Sequence, residues 1–402
     1  MAEAVIVATA RSPIGRANKG SLVDFRPDDL SATIITAVLD KLPQLDRQTV
    51  EDVIWGCGQP GGESGYNVAR VAAILAGLPD VPGTTVNRYC SSSLQTIRMA
   101  AHAIKAGEGD VFVAGGVETV SRFARGMSDG LPGTHNAAFA DAEARTATRT
   151  EGGQGPWEPP AGLPDVYIAM GQTAENVAER ERVTREEMDE FALLSQQRAV
   201  EAQKNGFFER EITPVTVPDG RLVALDDGPR PDTTLEKLSQ LKPAFRPDGT
   251  VTAGNSCPLN DGAAATIVMS DTRAERLGIT PRARVISSGV TALDPEIMGL
   301  GPIEASRQAL ARAGLQIDQI DLVEINEAFA AQVIPSARHL GVPWERLNVH
   351  GGAIALGHPF GMTGARIMAT LLNGLEDRGG RYGLETMCVG GGQGMAMVVE
   401  RV

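Results

Sequence analysis

The sequence predicts an α/β fold on three observations. Short apolar runs alternate with stretches of helical periodicity, the alternation breaks in one Gly/Pro-rich interval and then resumes, and one order of residues and elements occurs twice. At 402 residues the chain is long enough for two or three domains of roughly 150 residues each, with a core that needs no disulfides.

Taken in order, Ala4 to Ala10 reads as a first core strand running into Arg11, Ser12 and Pro13, with no basic segment before it to suggest a leader peptide. Leu30 to Leu39 follows as a helical pattern and Val53 to Trp55 as a strand. Val68, Val71, Ala72 and Leu75 then repeat at helical spacing. Leu94, Ile97, Ala101 and Ile104 share one face of the next helix. The run from Asp110 to Ala114 is a buried strand that Gly115 and Gly116 are expected to end. Residues 126–165 hold seven Gly and five Pro among forty and read as an irregular insertion. Helix returns at Thr184, where Thr184 and Glu187 form a T-x-x-E capping box, and Asn205 with Gly206 supplies the stop. The segment from 120 to about 250 is thus a semi-independent lobe. Beyond it come strands at Gly262 to Met269 and Arg284 to Ser288, a helix from Pro302 to Ala313, and a strand from Leu322 to Ile325. The block from Val86 (VNRYCSSSLQTI, helix, strand, AGGVE) is echoed from Leu347 (LNVHGGAIALG, helix, TMCVGGGQG), which suggests two halves on one plan, although no fixed period holds.

Composition narrows the function. Lys plus Arg is 37 against 50 Asp plus Glu, and the resulting net charge of −13 argues against a nucleic-acid partner. No apolar run reaches the 18 residues a membrane span needs, and no organellar address is visible, so a soluble cytoplasmic protein is expected. The four cysteines, at 57, 90, 257 and 388, are too scattered for a disulfide framework or a C-x-x-C metal site. Free thiols in a reducing compartment are the expectation, and individual thiols are available for chemistry.

Three constellations could carry that chemistry. Cys90 lies just before a helix and is followed by Ser91, Ser92 and Ser93. A helix N-terminus favours thiolate, the nucleophilic form, whereas the plain reading is an inert buried thiol. His358 sits in GGAIALGHPFGMTGAR between Gly357 and Pro359, on a turn that a ligand could approach closely, or simply as a satisfied turn histidine. Cys388 opens CVGGGQGMA, where Gly390, Gly391, Gly392 and Gly394 can turn backbone N–H groups toward an oxyanion; a core cysteine before a glycine turn is the alternative. A decoy competes with them. Gly56, Gly58 and Gly61 spell G-x-G-x-x-G after a strand, but Pro60 lies inside the turn and the helix starts late, so a dinucleotide site is not expected; nor is a P-loop, since no G-K-[S/T] follows the glycines near 357–364.

Together these blocks resemble the thiolase family, the acetyl-CoA acyltransferases. VNRYCSSSLQ, INEAFAAQ around Asn326 and Glu327, GGAIALGHPFGMTGAR and CVGGGQGMA stand in the family order, and VATARSPIG, AGGVETVSR, AMGQTAENVA, PRPDTTLEKLSQLKPAF and VTAGNSCPLNDGAAA extend the likeness over most of the chain. The resemblance implies a layered α-β-α-β-α thiolase fold. Its N-terminal half would comprise 1–120 plus 250–272, its inserted loop lobe 121–249 and its C-terminal half 273–402. It also implies thiolytic cleavage of 3-oxoacyl-CoA to acetyl-CoA and a shortened acyl-CoA, of the β-oxidation type, with the Claisen condensation as the reverse. Cys90 would be the acylated nucleophile, His358 its activating base and Cys388, with a pKa near ~8.5, the acid/base for the enolate and the incoming CoA thiol. His358 and a water held by Asn326 would form one oxyanion hole and the amides of Cys90 and Gly390 the other.

By the same resemblance Arg230 lies near the adenine end of CoA, and Met170, Cys257, Ala328 and Phe329 line the pantetheine and acyl channel. The basic residues Lys237, Lys242 and Arg246 read instead as a solvated lobe surface. CoA and acyl-CoA are the partners implied, with no tightly bound cofactor and no metal, and a homodimer or homotetramer is expected. Three positions depart from the family: Ala169 where acetoacetyl-CoA thiolases of the biosynthetic type carry histidine, Cys257 where serine is more usual, and Ser93 where glycine is usual. The alternatives are a biosynthetic thiolase joining two acetyl-CoA, a decarboxylating condensing enzyme whose Asn/His pattern is missing here, and a non-catalytic lipid carrier on the same fold.

Overall fold

A computed structural model describes residues 2–128 and 130–402. The first half runs β1 (Ala4–Arg11), α1 (Pro27–Asp40), β2 (Asp52–Gly56), α2 (Val68–Leu75), β3 (Gly83–Val86), α3 (Ser92–Ala106) and β4 (Val111–Thr119). The segment that follows contains α4 (Ala140–Thr150), α5 (Met170–Glu181) and α6 (Arg185–Lys204), after which β5 (Asn260–Ser270) returns to the sheet. The second half runs β6 (Ala283–Ala292), α7 (Gly301–Ala313), β7 (Leu322–Ile325), α8 (Ala330–Leu340), α9 (Thr363–Arg378), β8 (Tyr382–Val389) and β9 (Gln393–Arg401).

The strands hydrogen-bond in the order β7-β8-β9-β6-β1-β5-β4-β2-β3. At the seam, β1 and β6 share only the pairs Val5 with Arg284 and Ile6 with Ala283. On one side β2 is parallel to both β3 and β4, and β5 runs antiparallel between β4 and β1. On the other, β7 is parallel to β8 and to a bridge at Leu347, and β9 runs antiparallel between β8 and β6. The strand orders match, so the echo from Val86 and Leu347 reflects two copies of one topology.

Alternate residues of each strand feed different apolar layers, as a pleated strand buried on both faces requires. Val5 and Val7 of β1 and Val111 and Val113 of β4 face a cluster shared with α1 and α2. Ala4, Ile6, Phe112 and Ala114 face a central cluster with α3 and α9, which Met387, Val389, Met395 and Met397 enter from the second half. Leu384, Cys388, Ala396 and Val398 turn outward to α7 and α8. The layers are therefore helix, sheet, helix, sheet, helix.

The local expectations fared unevenly. Thr184 caps α6 as expected: its Oγ1 accepts the Glu187 N–H at 3.2 Å, and Glu187 accepts the Thr184 N–H at 2.9 Å. Gly115 and Gly116 do not end β4, which continues to Thr119. They are glycines because a Cβ would stand 2.2 Å from the Ala264 carbonyl oxygen at the first and 2.1 Å from that of Gly361 at the second. Residues 126–165 are less irregular than expected, since α4 lies among them. Buried Glu296 anchors this stretch, pairing with Arg145 and accepting from Trp157 Nε1 at 2.9 Å and the Asp165 N–H at 3.0 Å. Arg246 is not a surface cation either; it is buried against Gln172, Asn176 and Glu179, while Lys237 is exposed beside Asp232. No helix among the described residues is long and apolar enough to cross a membrane.

Candidate active site

Beyond β3 the chain reverses through Tyr89, whose φ is +42°, and Cys90 follows in a single 3-10 turn before α3. Ser92 locks that turn: its Oγ accepts the Arg88 N–H at 2.9 Å and donates to the Tyr89 carbonyl at 2.7 Å. Cys90 is 8 % exposed, and the amides of Gly390 and of Cys90 itself reach its sulfur. The expected lowering at a helix N-terminus is overridden. Loss of solvent outweighs the two amides and pushes the thiol up to about 11, so it rests protonated.

His358 owes its place to Gly357 and Asn260. Gly357 has φ +116°, and a Cβ there would fall 2.5 Å from Cγ of Asn260, whose Oδ1 accepts the His358 N–H at 3.0 Å. The ring lies in a defined tautomer. Its Nδ1 is 2.6 Å from Thr363 Oγ1, and that hydroxyl gives its one proton to the Pro359 carbonyl at 2.7 Å. Nδ1 must therefore donate, leaving Nε2 unprotonated as an acceptor. The Asn326 side-chain amide stands 3.3 Å from Nε2, and burial first, then Arg366, pulls the imidazole down to about 3, so it is neutral.

Asn326 directly follows β7, where its N–H donates to the Thr386 carbonyl at 3.0 Å and its carbonyl accepts from Gln332 Nε2 at 2.6 Å. Glu327 beside it is a buried brace, accepting from Ser195 Oγ at 2.6 Å, Asn348 Nδ2 at 2.9 Å and the Ile354 N–H at 3.1 Å. A Cβ on Gly352 would be 2.2 Å from its carboxyl carbon. Thr363, Asn260, Asn348 and the role of Glu327 were not found by sequence reasoning. The signal was there in part: Gly351 and Gly352 marked a close approach without saying to what.

Cys388 is the penultimate residue of β8, fully buried. Burial, and after it the neighbouring Cys90 and Cys257, hold its thiol well above the ordinary range, which corrects the expected ~8.5. The Cys257 N–H donates to the Ala328 carbonyl at 3.0 Å, and Ser256 bridges Phe329. Ala328, Phe329 and Cys388 belong to one apolar cluster with partly buried Met170 packed against it, and Cys257 neighbours the Cys388 thiol. Arg230 lies apart and exposed, its N–H on Gln196 Oε1 at 2.8 Å. Its loop nevertheless touches the His358 turn: a Cβ on Gly228 would be 2.1 Å from the Ala355 carbonyl oxygen.

Contacts between the halves join the two motif blocks. Ser93 Oγ accepts the N–H of Ala365 in the first turn of α9, and a Cβ on Gly364 would lie 2.4 Å from the Leu94 nitrogen, so α3 and α9 meet N-terminus to N-terminus. Glu118 spans the same gap, accepting the N–H groups of Gly58 (2.7 Å), Gln59 (3.1 Å) and Gly361 (2.9 Å). The amides of the G-x-G-x-x-G turn are thus occupied by a protein carboxylate, which is the physical reason that motif is a decoy. Burial raises Glu118 to about 7.

Comparison with known proteins agrees with this geometry. Family models described as the thiolase N-terminal and C-terminal domains match residues 4–272 and 279–401. The chain is 45 % identical to a beta-ketoadipyl-CoA thiolase of Acinetobacter baylyi over all of both chains. It is 45 % identical to a 3-ketoacyl-CoA thiolase of Pseudoalteromonas translucida, with 99 % of this chain and 98 % of that one covered. The crystal structure of Bacillus anthracis acetyl-CoA acetyltransferase superposes with a TM-score of 0.85 at 39 % identity, covering 100 % of this chain and 99 % of that one. With both halves matched end to end, the chain belongs to the thiolase family and is an acyltransferase.

Proposed function

We propose that the protein cleaves 3-oxoacyl-CoA with CoA, through an acyl group carried on Cys90. The observation that carries this reading is a neutral thiol held under the Gly390 amide, in a site that also presents a neutral histidine whose unprotonated Nε2 faces the Asn326 amide. Cys90 Sγ attacks the 3-keto carbon while its proton passes to His358 Nε2, and the new oxyanion is held by the amides of Cys90 and Gly390. Each such donor is worth about 3–4 kcal/mol. The bond between carbons 2 and 3 then breaks, Cys388 protonates the acetyl-CoA enolate, and acetyl-CoA departs. Asn326 and His358 hold the enolate oxygen. In the second half-reaction the CoA thiol gives its proton to the Cys388 thiolate and attacks the acyl carbon, and Cys90 leaves with the proton returned by His358. Every proton is restored, so one turnover needs no external acid or base.

The raised Cys388 thiol suits the first of its two tasks, since it is protonated when the enolate forms. Arg230 takes the nucleotide end of CoA, and Met170, Cys257, Ala328 and Phe329 enclose the pantetheine arm. Condensation of two acetyl-CoA is the second reading, favoured by the likeness to the Bacillus anthracis acetyltransferase; Ala169, where that reaction type commonly uses histidine, speaks for thiolysis.

The four free cysteines fit a cytoplasmic protein. The outer edge of β3, with exposed Tyr66 and Leu75 nearby, fits pairing into a homodimer or homotetramer. The reading is tested by assaying acetyl-CoA release from a series of 3-oxoacyl-CoA substrates with CoA. CoA-dependent cleavage that Cys90→Ser abolishes is expected, and wild-type turnover in that variant contradicts it.

A further inference from the structure

Tyr89 is a bulky residue in a backbone region that L side chains rarely adopt, at φ +42°, directly before the nucleophile. Such strain persists only where the surroundings fix it. Here both backbone groups are pinned: the Tyr89 N–H donates to Asn87 Oδ1 at 2.8 Å, and its carbonyl accepts from Ser92 Oγ at 2.7 Å. The consequence is where the ring goes. It is not buried in the core but remains 42 % exposed, lying along the glycine turn that faces Cys90. A Cβ on Gly390 would be 3.3 Å from the Tyr89 ring, and one on Gly391 would be 3.8 Å from it. Across the same turn stands Val166 of the inserted lobe, whose Cγ2 would be 4.0 Å from a Gly391 Cβ, and behind it Tyr167 stacks on His135 with ring centroids 3.8 Å apart.

We propose that the Tyr89 ring, facing Val166 across Gly391, is the wall of the pocket that receives the acyl chain and sets the length of the 3-oxoacyl group accepted. The inference rests on the thiolase reading. With the acyl oxygen between the amides of Cys90 and Gly390, the remaining substituent of the acyl carbon must leave on the open side of the turn. That side is the exposed ring rather than the nearly closed sulfur. A fixed aromatic face there admits short and medium unbranched chains and obstructs long ones.

The test measures kcat/KM with CoA for acetoacetyl-CoA, 3-oxooctanoyl-CoA and 3-oxohexadecanoyl-CoA in wild type, Tyr89→Phe, Tyr89→Ala and Tyr89→Gly. Glycine suits the positive φ, so that variant keeps the test open if the alanine variant folds poorly. The ratio of the long to the short substrate is expected to rise by about tenfold or more in the alanine and glycine variants, the scale of a methylene-sized change in an apolar pocket, and to stay put in the phenylalanine variant. An unchanged ratio overturns the proposal. So does a uniform loss on every chain length, which would make Tyr89 a support for Cys90 rather than a selector. Wild type inactive on all three substrates would overturn the thiolase reading itself, and the pocket assignment with it.

Discussion

The imidazole of His358 donates its Nδ1 proton to Thr363 Oγ1 at 2.6 Å, because that hydroxyl has already committed its own proton to Pro359. One helical turn of α9 thus decides which nitrogen of the ring is basic. The proposed mechanism depends on it, since only an unprotonated Nε2 can take the proton of Cys90.

Thr363→Val keeps the shape of the residue but deletes the acceptor. Losing one buried hydrogen bond costs about 1–3 kcal/mol, so kcat is expected to fall roughly tenfold to a hundredfold with little change in the KM for acetoacetyl-CoA. Thr363→Ser should restore most of it. Steady-state kinetics decide the matter, and a valine variant with wild-type kcat would remove Thr363 from the account.

The raised thiol of Cys90 predicts a pH signature. Burial places it at about 11, so the thiolate fraction grows about tenfold per pH unit across the whole neutral range. Iodoacetamide labelling of Cys90, followed by peptide mapping, should climb with unit slope from about pH 7 to 9 without levelling. A plateau near neutrality would mean a preformed thiolate, as the helix N-terminus alone would suggest.

Glu118 links stability to pH. Its folded value of about 7 lies above the ordinary glutamate value of 4.5, so the folded state holds the proton more tightly than the unfolded one. Its contribution is complete below about 4.5 and is lost as pH rises through about 7, at up to ~1.4 kcal/mol per unit. The stability of wild type relative to Glu118→Gln should therefore fall over that window and flatten above it. Urea midpoints at several pH values measure this; a difference that does not vary with pH contradicts it.

The chain read most clearly where one residue type has one structural use. The apolar periods placed β7 at Leu322–Ile325 and the Thr184 cap without error, because burial and capping depend on local sequence. Gly115 and Gly116 misled because a glycine that admits a neighbouring carbonyl looks, in sequence, like one that ends a strand. The raised thiols of Cys90 and Cys388 were illegible for a related reason: desolvation comes from both halves packed together, and no local pattern reports it. Ser93 shows the same limit. In sequence it stood out only as a departure from the family, whereas its hydroxyl caps the opposing helix at Ala365, 272 residues away. The bracing roles of Glu118 and Glu327 were illegible as well, since a carboxylate that braces backbone amides carries no motif of its own.

The central claim is that Cys90 carries the acyl group. It is tested most directly by mixing the enzyme with acetoacetyl-CoA in the absence of added CoA, quenching in acid, and locating any acetyl group by peptide mass spectrometry. The account predicts a single acetyl group on the peptide bearing Cys90, removed when CoA is supplied before the quench. An acetyl group on Cys388 instead, or cleavage with no acylated peptide, would contradict it.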